Sequence, residues 1–246
     1  MYFNKLPLIE YDFFGEGQTT AIPDIFRQVR TINKKFDGAS PYQLYEIGEE
    51  RPDQLSYQLY GKTAYHWTFF IINDSLSGGL ESWPMTYNQL QDHIDRKYAN
   101  HTITLFRGRE SGINENSIAG KFEEGTIITG VTSNATATVI GRNPTVNQLV
   151  IRIDSGSFAP GEELVGSDST SISGNYEIRA YKNSVAYYTD EEGRKYNNWE
   201  NLYTPDSIVT YAEDEEIRNN ERRYIRVVRK GFIQEFAAEY RRLING

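Results

Sequence analysis

The chain has 246 residues, of which 38% are hydrophobic and 24% charged, and it carries a formal net charge of −8. The composition indicates a folded protein, and the acidic balance argues against general binding of nucleic acid, which needs excess lysine and arginine. The lack of cysteine excludes disulfides, thiolate catalysis and cysteine-bound metals. No secretory signal and no membrane-spanning apolar stretch is recognisable, so we expect folding in a reducing cytoplasm.

The first 47 residues combine turn signals with one short helical pattern and one strand. Pro23 is well placed as the first residue of a helix over residues 23–29, because its fixed φ suits that position. Residues 42–47 alternate in a way that predicts a strand, although both of its faces are partly apolar.

The next segment predicts a short helix with a definite end. Pro52 suits the first helical position, and Leu55 and Leu59 lie one turn apart on the same side. Tyr60 precedes Gly61, which can adopt the left-handed conformation that ends many helices.

A second helix is predicted directly after the first. Thr63 can cap its start, and Asn73 can close it in the left-handed conformation. The residues between them are apolar on nearly every side, so we expect a buried helix with Trp67 packed against the first helix. A third helix is predicted over residues 86–98, and a strand over residues 101–106.

Residues 110–182 are rich in glycine, serine, threonine and β-branched residues and contain an internal repeat. The following five positions recur 36 residues later: Phe122, Gly125, Ile128, Gly130 and Ser133 return as Phe158, Gly161, Leu164, Gly166 and Ser169. Short apolar runs separated by turn residues predict hairpins. We therefore expect an inserted small all-β module, barrel-like in form.

The last block, residues 183–246, returns to aromatic and charged residues. It predicts a helix over residues 212–223 and a strand over residues 224–228. A closing helix follows, with an apolar stripe made of Phe232, Phe236, Tyr240 and Leu243. The predicted fold class is α+β: a helix pair on a small sheet with flanking helices, plus the inserted all-β module.

The sequence contains no recognisable catalytic or metal-binding constellation. The phosphate-binding glycine pattern, the nucleophile elbow and the zinc-protease motif are absent. Carboxylate pairs such as Glu162-Glu163 are interpreted as solvated turns, because no apolar residues frame them. We expect no enzyme activity, no catalytic residue, no metal and no cofactor.

Charge is segregated near the C-terminus, where an acidic run at residues 213–216 precedes a cluster of cations. The five cations that we call the basic strip are Arg222, Arg223, Arg226, Arg229 and Lys230. One interpretation is a solvated helix end whose charges complement the helix dipole. The other is a docking strip, since arginine is enriched at protein interfaces and pairs well with carboxylates. A strand here would turn Arg226 away from Ile225 and Val227, toward a partner.

Residues 52–61 and 65–74 resemble the helical half of a LysM-like module, a β-α-α-β fold. The motif residues are Pro52, Leu55, Leu59, Tyr60, Gly61, Trp67 and Asn73. The tryptophan in the second helix and the Asn-Asp ending are similar to the baseplate wedge protein fifty-three family of contractile-tailed bacteriophages. Residues 23–27, 42–52 and 220–230 resemble that family in order and spacing.

The resemblance covers residues 1–109 and 183–246, which would form the two parts of a wedge body, with a LysM-like segment near residues 42–74. It implies a structural virion protein of the tail baseplate, assembled in the host cytoplasm, that bridges neighbouring wedges so that they close around the central hub. Its partners would be other baseplate wedge and hub proteins in a hetero-oligomeric ring, and not nucleic acid, membrane or a small-molecule substrate. Residues 110–182 depart from the family's pattern.

An alternative class is a carbohydrate-binding module, because many LysM domains hold N-acetylglucosamine polymers such as peptidoglycan beside their helices. Trp67 would then be a platform for sugar stacking instead of a core residue. A single copy inside a larger chain without an export signal is a poor design for binding a cell wall, which favours the assembly interpretation.

Overall fold

The computed structural model describes residues 7–12, 15, 17–23, 41–105, 118, 120–174, 176–190, 192–196 and 207–245. Contacts divide the chain into two units, one made of Met1–Thr86 with Asn219–Gly246 and the other of Tyr87–Arg218. The described residues form helices and antiparallel strands, which confirms the α+β class. Within these ranges, no helix has the length and apolar character needed to cross a membrane.

The helices are α1 (Pro52–Tyr60), α2 (Trp67–Ile72), α3 (Tyr87–Lys97), α4 (Tyr211–Glu221) and α5 (Ile233–Asn245). The strands are β1 (Leu8–Tyr11), β2 (Thr20–Pro23), β3 (Tyr42–Glu46), β4 (His101–Leu105), β5 (Ile127–Gly130), β6 (Thr136–Asn143), β7 (Gln148–Ser155), β8 (Leu164–Gly166), β9 (Ser171–Ile172), β10 (Tyr176–Ala180), β11 (Val185–Thr189), β12 (Lys195–Tyr196), β13 (Ser207–Thr210) and β14 (Tyr224–Val228).

α1 begins and ends where its sequence signals predict. Pro52 is its first residue, and the side-chain oxygen of Gln54 accepts a hydrogen bond from the Arg51 N–H at 3.0 Å. Gly61 adopts a φ of 69° and donates its N–H to the carbonyl of Tyr57 at 2.8 Å. The predicted left-handed end of the helix is confirmed.

The second helix is shorter than the sequence predicts. Thr63 begins a separate 3-10 turn and does not cap α2, which starts at Trp67. Asn73 is not left-handed, because its backbone is extended at φ −121° and ψ 111°. Its side chain hydrogen-bonds to β14 instead, a partner far away in sequence. Both helix-end predictions were therefore wrong.

β3 and β14 form a two-stranded antiparallel sheet in the first unit. The register runs from Tyr224 opposite Glu46 to Val228 opposite Tyr42, which confirms both predicted strands. α2 packs against β14, and the inward side chains of the sheet and helices form one core. Fully buried members of this core include Ile47, Leu55, Phe69, Leu76, Ile225, Val227 and Val228.

α5 completes the core of the first unit. Phe236 and Tyr240 of its predicted stripe are buried, and the Trp67 ring lies 6.4 Å and 4.9 Å from them, centroid to centroid. Leu243 is half-buried, and Phe232, also half-buried, precedes the helix in a 3-10 turn. Trp67 itself is only 9% exposed. The Trp67 ring thus packs against α5. Its predicted packing against α1 stays a prediction.

The chain leaves the first unit and returns to it at neighbouring points. The N–H of Met85 donates to the side-chain oxygen of Asn219 at 2.8 Å, and the Asn219 amide donates back to the Met85 carbonyl at 3.1 Å. Residues 87–218 therefore occupy the position of an insertion between two adjacent residues of the first unit.

The second unit is built on a seven-stranded antiparallel sheet in the order β10-β4-β7-β6-β5-β8-β9. This order is linear, so the described strands form an open sheet. β4 precedes the predicted insert of residues 110–182, yet it pairs with β7 and β10 within the same sheet. The separate folding of residues 110–182 stays a prediction.

The two copies of the internal repeat lie side by side in this sheet. β5 pairs with β8 so that Ile128 is opposite Gly166 and Gly130 is opposite Leu164. Each repeat thus places its large apolar residue against the glycine of the other. Ile128 and Leu164 are both fully buried, so the repeat specifies a paired core element.

β1 and β2 form a separate hairpin, which we call the arm. They pair antiparallel from Leu8 opposite Pro23 to Tyr11 opposite Thr20. Pro23 therefore ends a strand, and the helix predicted to begin there was wrongly placed at this residue. The remainder of that prediction, residues 24–40, lies outside the described part of the chain.

Candidate partner interface

The basic strip follows α4 and runs along β14 into the next 3-10 turn. Ile225 and Val227 are buried in the core, and Arg226 between them is exposed, which confirms the predicted alternation. Arg229 and Lys230 are also exposed, whereas Arg222 and Arg223 are half-buried. The structure thus places the five cations along one stretch of chain but in unequal environments.

Asn73 holds the backbone of Arg226 in place. Its side-chain amide donates to the Arg226 carbonyl at 2.9 Å, and its side-chain oxygen accepts from the Arg226 N–H at 2.8 Å. A second hydrogen bond from the same amide reaches the Phe69 carbonyl at 2.8 Å, inside α2. The exposed guanidinium therefore projects from a backbone fixed on both sides, by Asn73 and by β3.

Arg223 serves the fold of the first unit. Its guanidinium donates to the carbonyls of Gly48 at 2.9 Å, Met85 at 3.1 Å and Ile47 at 3.3 Å. These contacts join the loop after β3 to the segment before α3. We therefore separate Arg223 from the outward members of the basic strip, since an arginine held by three carbonyls is poorly placed to bind a partner.

The other outward cations differ in their local contacts. Arg229 donates from Nε to the Tyr42 carbonyl at 3.3 Å, while its charged group stays exposed. Burial raises the pKa of the Tyr42 phenol, and the charge of Arg226 opposes that rise. In the register of the sheet, Tyr42 lies two positions from Leu44 and on the same side as Arg226.

Two exposed hydrophobic residues flank Arg226, and sequence reasoning missed both. Leu44 is opposite Arg226 in the sheet and 82% exposed, and Tyr224 is 64% exposed two pairs further along, opposite Glu46. Alternation places Leu44, Tyr224 and Arg226 on the same side of the two strands. We call this surface, together with Arg222, Arg226, Arg229 and Lys230 as the outward cations of the basic strip, the basic face. The register was the missing signal, because β3 and β14 are far apart in sequence.

The basic face contains residue types that are common at protein contacts. Arginine and aromatic residues are enriched at interfaces, and exposed apolar side chains rimmed by charge mark binding surfaces. The LysM-like motif residues are placed differently: Pro52, Leu55, Tyr60, Trp67 and Asn73 are buried, Leu59 is half-buried, and Gly61 is exposed at its helix end. Most of these motif residues therefore lie in the interior of the first unit and not on the basic face.

The burial of Trp67 bears on the carbohydrate alternative. A sugar-stacking platform must present the face of its ring to solvent, but this ring is enclosed beside Phe236 and Tyr240. Among the described residues, no group of three or more histidine, aspartate or glutamate side chains is arranged to hold a metal ion.

A buried carboxylate in the second unit corrects another sequence interpretation. Glu162, taken for a solvated turn residue, is 7% exposed. Its oxygens accept four hydrogen bonds, two from Ser133 and one each from Thr132 and Ala159, at 2.6–2.9 Å. Burial acts to raise the pKa of this carboxyl, but the four donors outweigh it and lower the pKa to about 2. Glu162 therefore joins the loop that contains Thr132 and Ser133 to its own loop by hydrogen bonds.

The first unit thus presents an exposed surface of basic and apolar side chains. The family model described as Base plate wedge protein 53 matches residues 1–101, and it confirms the family resemblance for that part of the chain. No curated protein matches the chain. The family match supports a structural role in the phage tail baseplate and association with other baseplate proteins.

Proposed function

We propose that this protein bridges neighbouring baseplate wedges, so that they close around the central hub, and that the outward cations of the basic face make the contact. The family match over residues 1–101 supports a baseplate role. The observation that carries the bridging role is the exposed Arg226, flanked by Leu44 and Tyr224 on a well-packed sheet.

The rigidity of the basic face favours binding over solvation. A charge on a frayed helix end loses much side-chain and backbone entropy when it binds. Arg226 instead projects from a strand paired with β3 and hydrogen-bonded to Asn73, so its backbone is ordered before any partner arrives. A preorganised cation pairs with a carboxylate at a lower entropic cost.

The test is a double reversal, Arg222→Glu with Arg226→Glu. Arg226 is exposed and Arg222 is half-buried. Substitutions of surface charge outside the core usually change stability by less than about 0.5 kcal/mol, whereas breaking a desolvated interfacial charge pair costs about 2–5 kcal/mol. We expect the melting temperature of the purified protein to stay unchanged while the joining of wedges into closed rings is lost. Arg241→Glu, an exposed reversal on α5, is the matched control and should assemble normally.

Normal ring assembly by the double variant at physiological salt would contradict the proposal. The basic strip would then be the solvated helix end of the alternative interpretation. A fall in melting temperature for the double variant but not for Arg241→Glu would instead indicate that Arg222 or Arg226 supports the fold, and the contact would have to lie elsewhere.

The β3-α1-α2-β14 arrangement is the basis for a LysM-like core in this proposal. Its support is the order strand, helix, helix, strand, with the last strand antiparallel to the first and α2 packed on it. The last strand arrives only after residues 87–218. A peptidoglycan pull-down separates assembly from glycan binding, because the assembly role predicts no retention of the protein on the polymer.

A further inference from the structure

The arm has little packing of its own. Leu8 is 68% exposed, Ile9 and Ile22 across from each other are only half-buried, and none of the arm's described side chains belongs to a buried core. An isolated two-stranded hairpin is marginally stable in water at best. The arm therefore has apolar surface whose burial against another surface would stabilise it.

The arm is acidic throughout. Residues 7–23 contain Glu10, Asp12 and Glu16 and neither lysine nor arginine. The Asp12 carboxylate is used inside the arm, where it accepts from the N–H groups of Gly15 at 2.8 Å and Gly17 at 2.7 Å. Glu10 is exposed, and the Thr19 hydroxyl donates to it at 3.4 Å.

The basic face offers the complementary chemistry on the same unit. Arg226 and Arg229 supply positive charge opposite to that of Glu10, and the exposed Leu44 supplies apolar surface for Leu8. Among the described strands, β3 is also an edge of its sheet, and a strand edge can accept a further strand. Both Leu8 and Leu44 are exposed in the described structure, so the arm of a chain does not cover the basic face of that chain.

We propose that the arm of one copy docks on the basic face of a second copy. This inference rests on the proposed bridging function and deepens it, because it names the partner of the basic face as the arm of the next chain. The two surfaces are different, so the contact is head-to-tail. Such contacts produce a closed ring when the rotation between copies closes and an open filament when it does not.

The experiment is charge exchange between two single variants, Glu10→Arg and Arg226→Glu, followed by sedimentation velocity. We expect the wild-type chain to self-associate with increasing concentration, and less so at high salt. Each single variant alone should associate at least about tenfold more weakly. An equimolar mixture should regain association, because the reversed arm fits the reversed face and the two unchanged surfaces fit each other.

Matched controls carry the same charge changes elsewhere on the first unit. Glu81 and Arg241 are exposed and lie outside both surfaces. The variants Glu81→Arg and Arg241→Glu should each associate like the wild type. A wild-type chain that stays monomeric at all concentrations would overturn the inference, as would single variants that associate normally or a mixture that gains nothing over its components.

The outcomes also separate this inference from the bridging function. Should Arg222→Glu with Arg226→Glu block wedge joining in a chain that never self-associates, bridging stands and the arm contact is refuted. Should association follow the charge exchange while wedge joining ignores the same substitutions, the arm contact stands and the bridging function is refuted.

Discussion

Replacement of Glu162 by glutamine tests whether a buried carboxylate holds the second unit together. One carboxylate oxygen accepts from the backbone N–H groups of Thr132 and Ser133, at 2.9 Å and 2.8 Å. The other accepts from the Ser133 hydroxyl at 2.6 Å and from the Ala159 N–H at 2.7 Å. Glutamine keeps the shape of the side chain but replaces one acceptor by an NH₂ donor.

The size of the effect follows from this geometry. Whichever oxygen becomes nitrogen, at least one backbone N–H of a loop loses its acceptor and faces another donor. Hydrogen bonds to a charged group contribute about 1.5–3 kcal/mol each, and an unsatisfied buried donor costs about 1–3 kcal/mol. The Ser133 hydroxyl can rotate to accept from the new amide, which limits the loss. We expect Glu162→Gln to destabilise the second unit by about 2–4 kcal/mol.

The pH dependence has a definite sign. The pKa of Glu162 lies at about 2 in the folded state, below the ordinary glutamate value of 4.5. A carboxyl with a lowered folded-state pKa stabilises the protein above the ordinary value, and that stabilisation is lost as the pH falls from about 4.5 toward about 2. The acid sensitivity from this group should be absent in Glu162→Gln.

Urea unfolding followed by circular dichroism, together with hydrogen exchange of peptides covering β5 and β8, measures the effect at neutral and acidic pH. Glu163→Gln is the matched control, because Glu163 follows Glu162 in sequence but its side chain is exposed. The reasoning is refuted if the two variants unfold at the same urea concentration at pH 7, or if both keep the same acid sensitivity as the wild type.

Three further predictions concern packing and the chain path. Trp67→Ala should cost about 3–5 kcal/mol in urea unfolding, because the ring packs against two buried rings of α5; a fold of normal stability would show that the site is not a core position. Gly130→Ala should cost about 1–3 kcal/mol, since the new methyl would overlap the Glu162 carboxylate and lie 2.6 Å from the Ser133 hydroxyl oxygen, whereas Gly141→Ala meets only ordinary contacts at 3.7 Å and should be nearly neutral. Replacing residues 87–218 by a short Gly/Ser linker should leave the first unit with cooperative thermal unfolding, and loss of cooperativity would show that the units depend on each other.

The sequence predicted those elements whose causes are local. Gly61 needs only its own freedom at positive φ to end α1, and residues 224–227 show their inward and outward sides by simple alternation. The outward position of Arg226 followed from the same alternation. The basic strip could be found for this reason, although its partner contact stays a prediction.

The features that were missed depend on distant partners. Asparagine commonly ends helices, but two hydrogen bonds to the Arg226 backbone decide the role of Asn73. Glu162 has no apolar neighbours in sequence, and its donors come mainly from a loop about thirty residues earlier. Arg223 resembles its neighbours in the basic strip, yet three carbonyls from other segments hold it. None of these partners can be read from local pattern.

The pairing of β3 with β14 dictates an order of events during synthesis. Glu46 leaves the ribosome long before Tyr224, its partner in the sheet, has been made. At about 5–20 residues per second, the wait is on the order of ten seconds. During that time α1 and α2 carry Leu55 and Phe69 without the strand that later covers them, while residues 87–218 are complete enough to fold first. A host chaperone that shields apolar helices in nascent chains would therefore meet this protein at its N-terminal part, and synthesis slowed within the insertion would prolong that exposure.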